Sequence, residues 1–505
     1  MVSHAQLTQL SEPVSWDVDE TLATTLSFNE LDEVNVAELL LEDEEATEFK
    51  DLPLRFATKQ EVEFSIENSG RWTTLPNGDR IWMLGLRSAE AKALSVTFDE
   101  FFIPEGAVMH LYNADRSFYV GGYTNENNKI DGTFTTQAIP GEDLIIEYYE
   151  PYVVRHDGRL SIRTVAHSYR TLDSAINSED PNFTCLPNVA CDDNPSLRDQ
   201  ASSVVLITLD DGTRWATGTL VNNANFDGKP YILTGDHCLW GDPSSWLFTF
   251  RFLSSECDQV LEGQRLKAIS GADIVTTDID ASIALLELSA RPLPEWNVYY
   301  AGWDASGATP QKVKTVHHPK GAVKKVTSSE IAPQQSVWKG VTVFEVAGWD
   351  SGTTLDGSTG APMIDEHGRV CGVLFGGENT CSNNESDYFC KLSEAWGDLA
   401  KYLNPFNQPI ILLDGTYLRF GDVDAQVFQN NVAIFPNPAS TAFNILNEGD
   451  QAIRTISIID LSGRIVKQMP YTGMTVDVSE LPIGQYVVEI QFAIGVNRQK
   501  LMIWK

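Results

Sequence analysis

Two short stretches hold the residues best suited to chemistry. Leu233-Thr-Gly-Asp-His-Cys238 closes an apolar run on His237, and Asp356-Gly-Ser-Thr-Gly-Ala-Pro362 sets Thr359 in a glycine-rich turn. A histidine and a hydroxyl are the working parts of nucleophilic acyl transfer. The imidazole takes the hydroxyl proton and later returns it to the leaving group. Two further parts are needed: a buried carboxylate to fix the histidine tautomer and stabilise its cation, and backbone amides to hold the oxyanion. Gly357 and Gly360 give the tight backbone that presents residue 359, so the amides of Gly357 and Thr359 are the oxyanion candidates. Threonine has the required hydroxyl, but its extra methyl and stiff χ1 are expected to clash in a tight elbow or push the hydroxyl off line.

The elements that must position these residues read as strands. With 505 residues the chain has room for about three domains at roughly 150 residues each, and 42% hydrophobic content supports sizeable cores. Glu61-Val-Glu-Phe-Ser-Ile-Glu67 alternates with period two, and Arg71-Trp-Thr-Thr and Arg80-Ile-Trp-Met-Leu flank the turn Pro76-Asn77-Gly78-Asp79. Short strands separated by Pro/Gly turns continue to residue 170, which predicts a β-sandwich over 51–170. Before it, residues 1–50 form an acidic leader expected to be exposed with little fixed structure. Met1-Val-Ser-His-Ala5 reads as the remnant of a signal peptide cut after Ala5. Polar linkers are expected at 171–184 and 418–431, around a β-rich region at 185–417 and ahead of a small all-β domain at 432–505.

Composition narrows the partners. The formal charge is -34, from 36 basic and 70 acidic residues, which disfavours nucleic acid and anionic membrane as partners. No apolar run approaches the ~20 residues of a membrane span. All seven cysteines lie between Cys185 and Cys390, a clustering that points to disulfides and an oxidising compartment, with an odd thiol left over. There is no Cys-x-x-Cys pair and no zinc-like histidine spacing, so neither a metal site nor a cofactor is expected.

Gly218-Thr-Leu-Val through His237-Cys238, Tyr300-Ala-Gly-Trp-Asp304, Val316-His-His-Pro-Lys-Gly321, the Gly357 motif and Gly372-Val-Leu-Phe-Gly-Gly377 resemble the lysyl endopeptidase branch of the trypsin-fold serine peptidases. The resemblance implies a double β-barrel with His237 in the base position and Thr359 in the nucleophile position. It places the acid position at Ser282, six residues before the end of the apolar strand Ile283-Ala-Leu-Leu-Glu-Leu288. Asp280 is a candidate substitute, two residues away and displaced by roughly 7 Å along an extended strand, unless a bulge brings it in. In this branch a serine at position 358 is ordinary and faces elsewhere. Asp387 aligns with the carboxylate that binds substrate lysine, Trp338 with an aromatic beside the histidine, and Phe375 with a second, stacking histidine. The implied disulfides are Cys185–Cys381 and Cys191–Cys257. Cys238 lacks its partner because Ala216 stands there, and Cys371 with Cys390 is a further candidate pair.

At the C-terminus, Phe435-Pro-Asn-Pro438, Asp460-Leu-Ser-Gly-Arg464 and Val476-Asp-Val-Ser-Glu-Leu-Pro-Ile-Gly-Gln-Tyr486 resemble the type IX secretion sorting domain of Bacteroidetes. This implies passage through Sec and then the type IX machinery to the extracellular or outer-membrane surface. The joint expectation is a mainly β, secreted peptidase homologue that has lost the charge of its acid and the serine of its nucleophile. It would bind peptides or proteins, with Asp387 able to take Lys or Arg, and not cut them. The alternatives are a weak serine-type endopeptidase cleaving after lysine and a structural or adhesive surface protein.

Overall fold

The computed structural model describes residues 11–18, 25–46, 50–170, 185–192, 194–257, 267–405, 410–417, 432–447, 453–460, 465–471, 473, 475–492 and 496–504. The signal-peptide remnant, both linkers and the segment 461–464 lie outside the described residues. The chain is mainly β. Residues 57–168 form two facing antiparallel sheets, one centred on Arg80–Arg87 and Asp143–Glu150, the other on Ala93–Phe102 and Arg159–Ser168. Inward residues on the period-two strands, among them Trp82, Leu84, Phe98 and Ile146, are fully buried between the sheets. The turn Pro76–Asp79 closes the hairpin in which Trp72 pairs with Trp82.

The acidic leader differs from its expectation, because its described residues are docked. Phe28–Glu30 adds a parallel strand to Gly85–Arg87. Trp16 meets Tyr112 and Tyr119 edge-on at 5.4 Å. The backbone N–H and the hydroxyl of Ser15 donate to the buried carboxylate of Glu147 at 2.9 and 2.5 Å. Asp43, in the helix Val36–Ala46, accepts from Arg55, Tyr169 and Arg170. A buried carboxylate must be paired, and these partners lie mostly more than a hundred residues away, where composition gives no hint of them.

A single compact unit comprises Met1–Asn222, Pro230–Lys401 and Pro409–Tyr417, so the sandwich and the region after it are not separate bodies. Leu54–Arg55 pairs with Arg214–Trp215, and the Phe56 ring stacks on Trp215 at 3.7 Å. Lys59 and Arg163 reach Asp210 and Asp211. Beyond the sandwich come two further sheets. The first runs Lys267–Ser270, Leu247–Phe250, Val204–Leu209, Arg214–Val221, Tyr231–Gly235, Ile283–Leu288, Ala272–Asp278, every neighbour antiparallel. The second runs Lys325–Ser329, Val313–His317, Pro362–Ile364, Val370–Gly377, Asp387–Lys391, Val341–Val346, Gln334–Trp338. His237 leaves the end of a first-sheet strand, and the turn carrying Thr359 leads into a second-sheet strand, so the candidate site lies where the two meet.

The remaining unit holds the C-terminal residues. It is a small pair of sheets, Val432–Phe435 with Ala442–Asn447, and Ile453–Asp460 between Ile465–Pro470 and Gly484–Phe492, closed by Val496–Ile503. Ile456, Ile458, Val488, Ile490 and Leu501 form its dry interior.

Candidate active site

His237 sits in one turn of 3-10 helix directly after Tyr231–Gly235. Its Nε2 is 2.7 Å from Thr359 Oγ1 and its Nδ1 is 2.9 Å from Ser282 Oγ. If Nδ1–H donates to Ser282, Nε2 is left as acceptor for the threonine hydroxyl, the tautomer a general base needs. The structure therefore brings positions 237, 282 and 359 together. The Thr359 hydroxyl is in line with the imidazole, not pushed away from it. It has a competing acceptor in the Phe375 carbonyl at 3.3 Å, and one O–H serves one of these at a time.

The elbow around Thr359 is held from outside. Thr217 N–H donates to the Thr359 carbonyl at 2.9 Å, and its hydroxyl donates to Gly357 O at 3.0 Å. Gly360 has φ +85°, and a Cβ there would run into Thr217 O and Thr234 Oγ1. Ser358 points to the other side, where its hydroxyl lies 2.7 Å from His317 Nδ1 and accepts from the Leu355 amide. His317 is fully buried and its Nε2 meets Thr327 Oγ1. This histidine–serine pair braces the elbow from below. Among the described residues, the amides of Gly357 and Thr359 donate to no protein group, so both stay available as oxyanion donors.

The acid position has no carboxylate. Ser282 lies in the turn between Ala272–Asp278 and Ile283–Leu288, with φ +52°. Asp280 occupies the exposed tip of that same turn. The chain reverses direction there, so Asp280 is not the strand neighbour of Ser282 and does not reach His237. Ser282 instead contacts the Cys390 thiol. Burial lowers the pKa of His237 to about 4; the Asp51 carboxylate and a backbone contact to Leu374 offset this only in part. The imidazole is thus neutral at pH 7 and holds a proton poorly. Its ring is packed by Phe375 at 4.6 Å, which in turn meets Trp338 edge-on at 4.9 Å, and Trp338 stacks on Tyr388 at 4.8 Å. Phe375, where the resemblance implies a stacking histidine, thus packs directly on the His237 ring.

Asp387 is fully buried at the start of Asp387–Lys391. Its Oδ2 accepts from Trp349 Nε1 at 2.7 Å and from Thr354 Oγ1 at 2.8 Å. A Cβ on its strand partner Gly377 would collide with Asp387 Oδ1. The other oxygen faces a lysine ammonium, that of Lys50, at 3.0 Å. Sequence reasoning missed Trp349, Thr354, His317 and Lys50. Two of these carried a signal: His317 lies in the motif Val316–Gly321, and Lys50 is the first Lys or Arg of the chain, after 49 residues with 13 acids.

Disulfides Cys185–Cys381 and Cys191–Cys257 are present. Cys238, Cys371 and Cys390 are free and buried, so the candidate Cys371–Cys390 bond is not formed. The register sets Val373, not Cys371, opposite Cys390, and the Leu392 amide donates to the Cys371 carbonyl. Cys390 also faces away from the Asp387 pocket, because residues three apart on a strand point to opposite faces. It lies near Cys238, whose Sγ is 3.6 Å from Thr359 Oγ1. Burial pushes the Cys238 thiol up to about 11, so it is no thiolate nucleophile at neutral pH.

Residues 181–390 match the family model described as lysyl endopeptidase, C-terminal domain, and residues 433–504 match the secretion system C-terminal sorting domain. A lysyl endopeptidase of Pseudomonas aeruginosa is 23% identical over 361 residues, which cover 66% of this chain and 77% of its own. Among solved structures, an M. tuberculosis protease in its active form is 21% identical over 45% of this chain and 90% of its own, with a TM-score of 0.31. An HtrA-type protease with a tripeptide is 10% identical over 61% of this chain and 95% of its own, at 0.30. No helix among the described residues is long and apolar enough to cross a membrane. By these two matches, the chain joins a domain similar to the C-terminal domain of lysyl endopeptidases to a sorting domain that addresses it through the type IX machinery to the cell surface or extracellular space.

Proposed function

We propose that this protein binds lysine side chains of peptides or proteins in the Asp387 pocket and hydrolyses them very poorly or not at all. The observation that carries this reading is the company of His237: two hydroxyls, Ser282 at 2.9 Å and Thr359 at 2.7 Å, and no carboxylate at Nδ1. A serine can accept the Nδ1 proton, but it brings no charge to stabilise the imidazolium formed as the nucleophile attacks. Neutralising that charge lowers turnover by about 10⁴ in the well-studied triad. The pocket has kept its binding parts by contrast. A buried carboxylate with two neutral donors on one oxygen and an ammonium on the other is a lysine receptor in charge and in geometry.

A second reading, a slow endopeptidase cleaving after lysine, is favoured by the 2.7 Å approach of Thr359 Oγ1 to His237 and by the two unengaged amides. One experiment separates them. A lysine-containing protein is incubated with the purified chain and with its His237→Ala variant, and cuts are read by mass spectrometry. Binding without cutting is the expected outcome; cuts after lysine made only by the parent would establish the slow peptidase and sink the first reading.

A further inference from the structure

The Asp387 pocket is filled by the chain's own leader. Lys50 is 7% exposed. Its Nζ donates to Asp387 Oδ1 at 3.0 Å, Asn379 O at 2.6 Å, Thr354 O at 3.2 Å and Thr354 Oγ1 at 3.1 Å. An ammonium has three hydrogens, so these four acceptors leave none of them unmatched. Asp51 follows Lys50 directly in the chain. It is paired with Lys339 at 2.5 Å, and its charge is felt by His237.

Both sides of Lys50 are anchored. Upstream, Asp43 and Glu42 of the helix Val36–Ala46 hold Arg55 at 2.7 and 2.9 Å, and Asp43 holds Arg170 at 2.9 Å. Downstream, Leu54–Arg55 adds to the first barrel sheet at Arg214–Trp215. Between the anchors Lys50 adopts φ +54°, a left-handed conformation that a lysine holds only when its surroundings impose it. No Lys or Arg precedes Lys50 in the sequence given.

We infer that Lys50 is a tethered ligand that keeps the Asp387 pocket closed to outside lysines until the leader is lifted away. The inference rests on the lysine-binding reading given above and adds its regulation. A short tether holds a group at about millimolar effective concentration. Against a pocket with an intrinsic affinity of about 0.1 mM, occupancy would weaken an outside peptide about tenfold.

The test uses the full chain, its Lys50→Ala and Lys50→Met variants, and Lys50→Ala/Asp387→Ala. The probe is a synthetic peptide with one lysine flanked by alanines, beside its norleucine analogue, titrated by calorimetry. At least one folded Lys50 variant should bind the lysine peptide about tenfold or more tighter than the parent, and the double variant and the norleucine peptide should show no binding. Equal binding by parent and variants would overturn the inference and leave the pocket reading intact. No binding by a folded Lys50 variant would overturn the pocket reading, and the inference with it. Labelling with an amine reagent gives an independent readout that needs no Lys50 variant. In the parent, Lys50 should react at least about tenfold slower than the exposed Lys401, and Asp387→Ala should abolish the difference. Equal rates in the parent would show that the pocket does not hold Lys50 and would overturn the inference even if every Lys50 variant failed to fold.

Discussion

Restoring the missing charge is the sharpest perturbation. In Ser282→Asp combined with Thr359→Ser, a carboxylate replaces a hydroxyl that now lies 2.9 Å from His237 Nδ1. With charge centres about 4 Å apart and an effective dielectric of about 20, the attraction for an imidazolium is about 4 kcal/mol, or about 3 pKa units. Position 282 is 5% exposed and borders the Cys390 thiol, so desolvation of the new carboxylate takes back part of this. The expected net rise is about 1–3 units from the present value of about 4, which brings the base toward the pH at which it works best. Cleavage after lysine should rise by about 10²–10⁴ over the parent. Two assays check it: NMR titration of the His237 Cε1 proton, and peptide cleavage by mass spectrometry with His237→Ala as background. A folded double variant whose His237 still titrates near 4, or whose cleavage stays at background, would refute the electrostatic account of the site.

Three other outcomes are expected. His237 and His317 hold pKa values of about 4 and about 3, below the ordinary 6.5, so the unfolded chain takes up protons that the folded chain refuses. Their contribution to stability is whole above about pH 6.5 and is lost as pH falls toward 4 and below; urea midpoints that stay flat from pH 7.5 to 4 would contradict it. Trp349→Phe removes the Nε1 donor to Asp387 Oδ2 and should weaken lysine-peptide binding in a Lys50→Ala background by about tenfold, the worth of one hydrogen bond to a charged group; unchanged affinity by calorimetry would argue against this donor. Cys185→Ser/Cys381→Ser opens a crosslink spanning 196 residues and should cost about 2–5 kcal/mol of stability, read from denaturant unfolding of the compact unit.

What could be read from the sequence divides along physical lines. The sandwich and barrel strands were legible because alternation with period two and Pro/Gly turns are local signals. His237 and Thr359 were legible because each sits in a motif a few residues long. Asp280 is less legible: sequence spacing suggests an extended strand up to Ser282, whereas 279–282 is a hairpin turn that leaves Asp280 exposed. The Thr359 methyl was expected to misdirect the hydroxyl, yet one of the rotamers that fit the elbow leaves Oγ1 facing the imidazole. Docking of the leader was invisible, since Ser15 to Glu147 and Lys50 to Asp387 are contacts 132 and 337 residues apart. No window of composition reports a partner at that distance.

The pattern of retention and loss itself carries an argument. Catalysis needs interactions stronger in the transition state than in the ground state, whereas binding needs only the ground state. On the proposed reading the groups that act on the ground state are Asp387 with its Trp349 and Thr354 donors and the stacked aromatics Tyr388 and Trp338, while Phe375 replaces a histidine. The groups that act once charge has moved are the ones altered: a hydroxyl, Ser282, stands behind His237 in place of a carboxylate, and Thr359 stands at the nucleophile position. The buried Asp387 costs stability whenever it lacks a cation. That cost is met in this chain by Lys50. A pocket that is both kept and kept occupied is one whose opening matters, and on the proposed reading the event to look for in this protein is release of the leader, with turnover secondary.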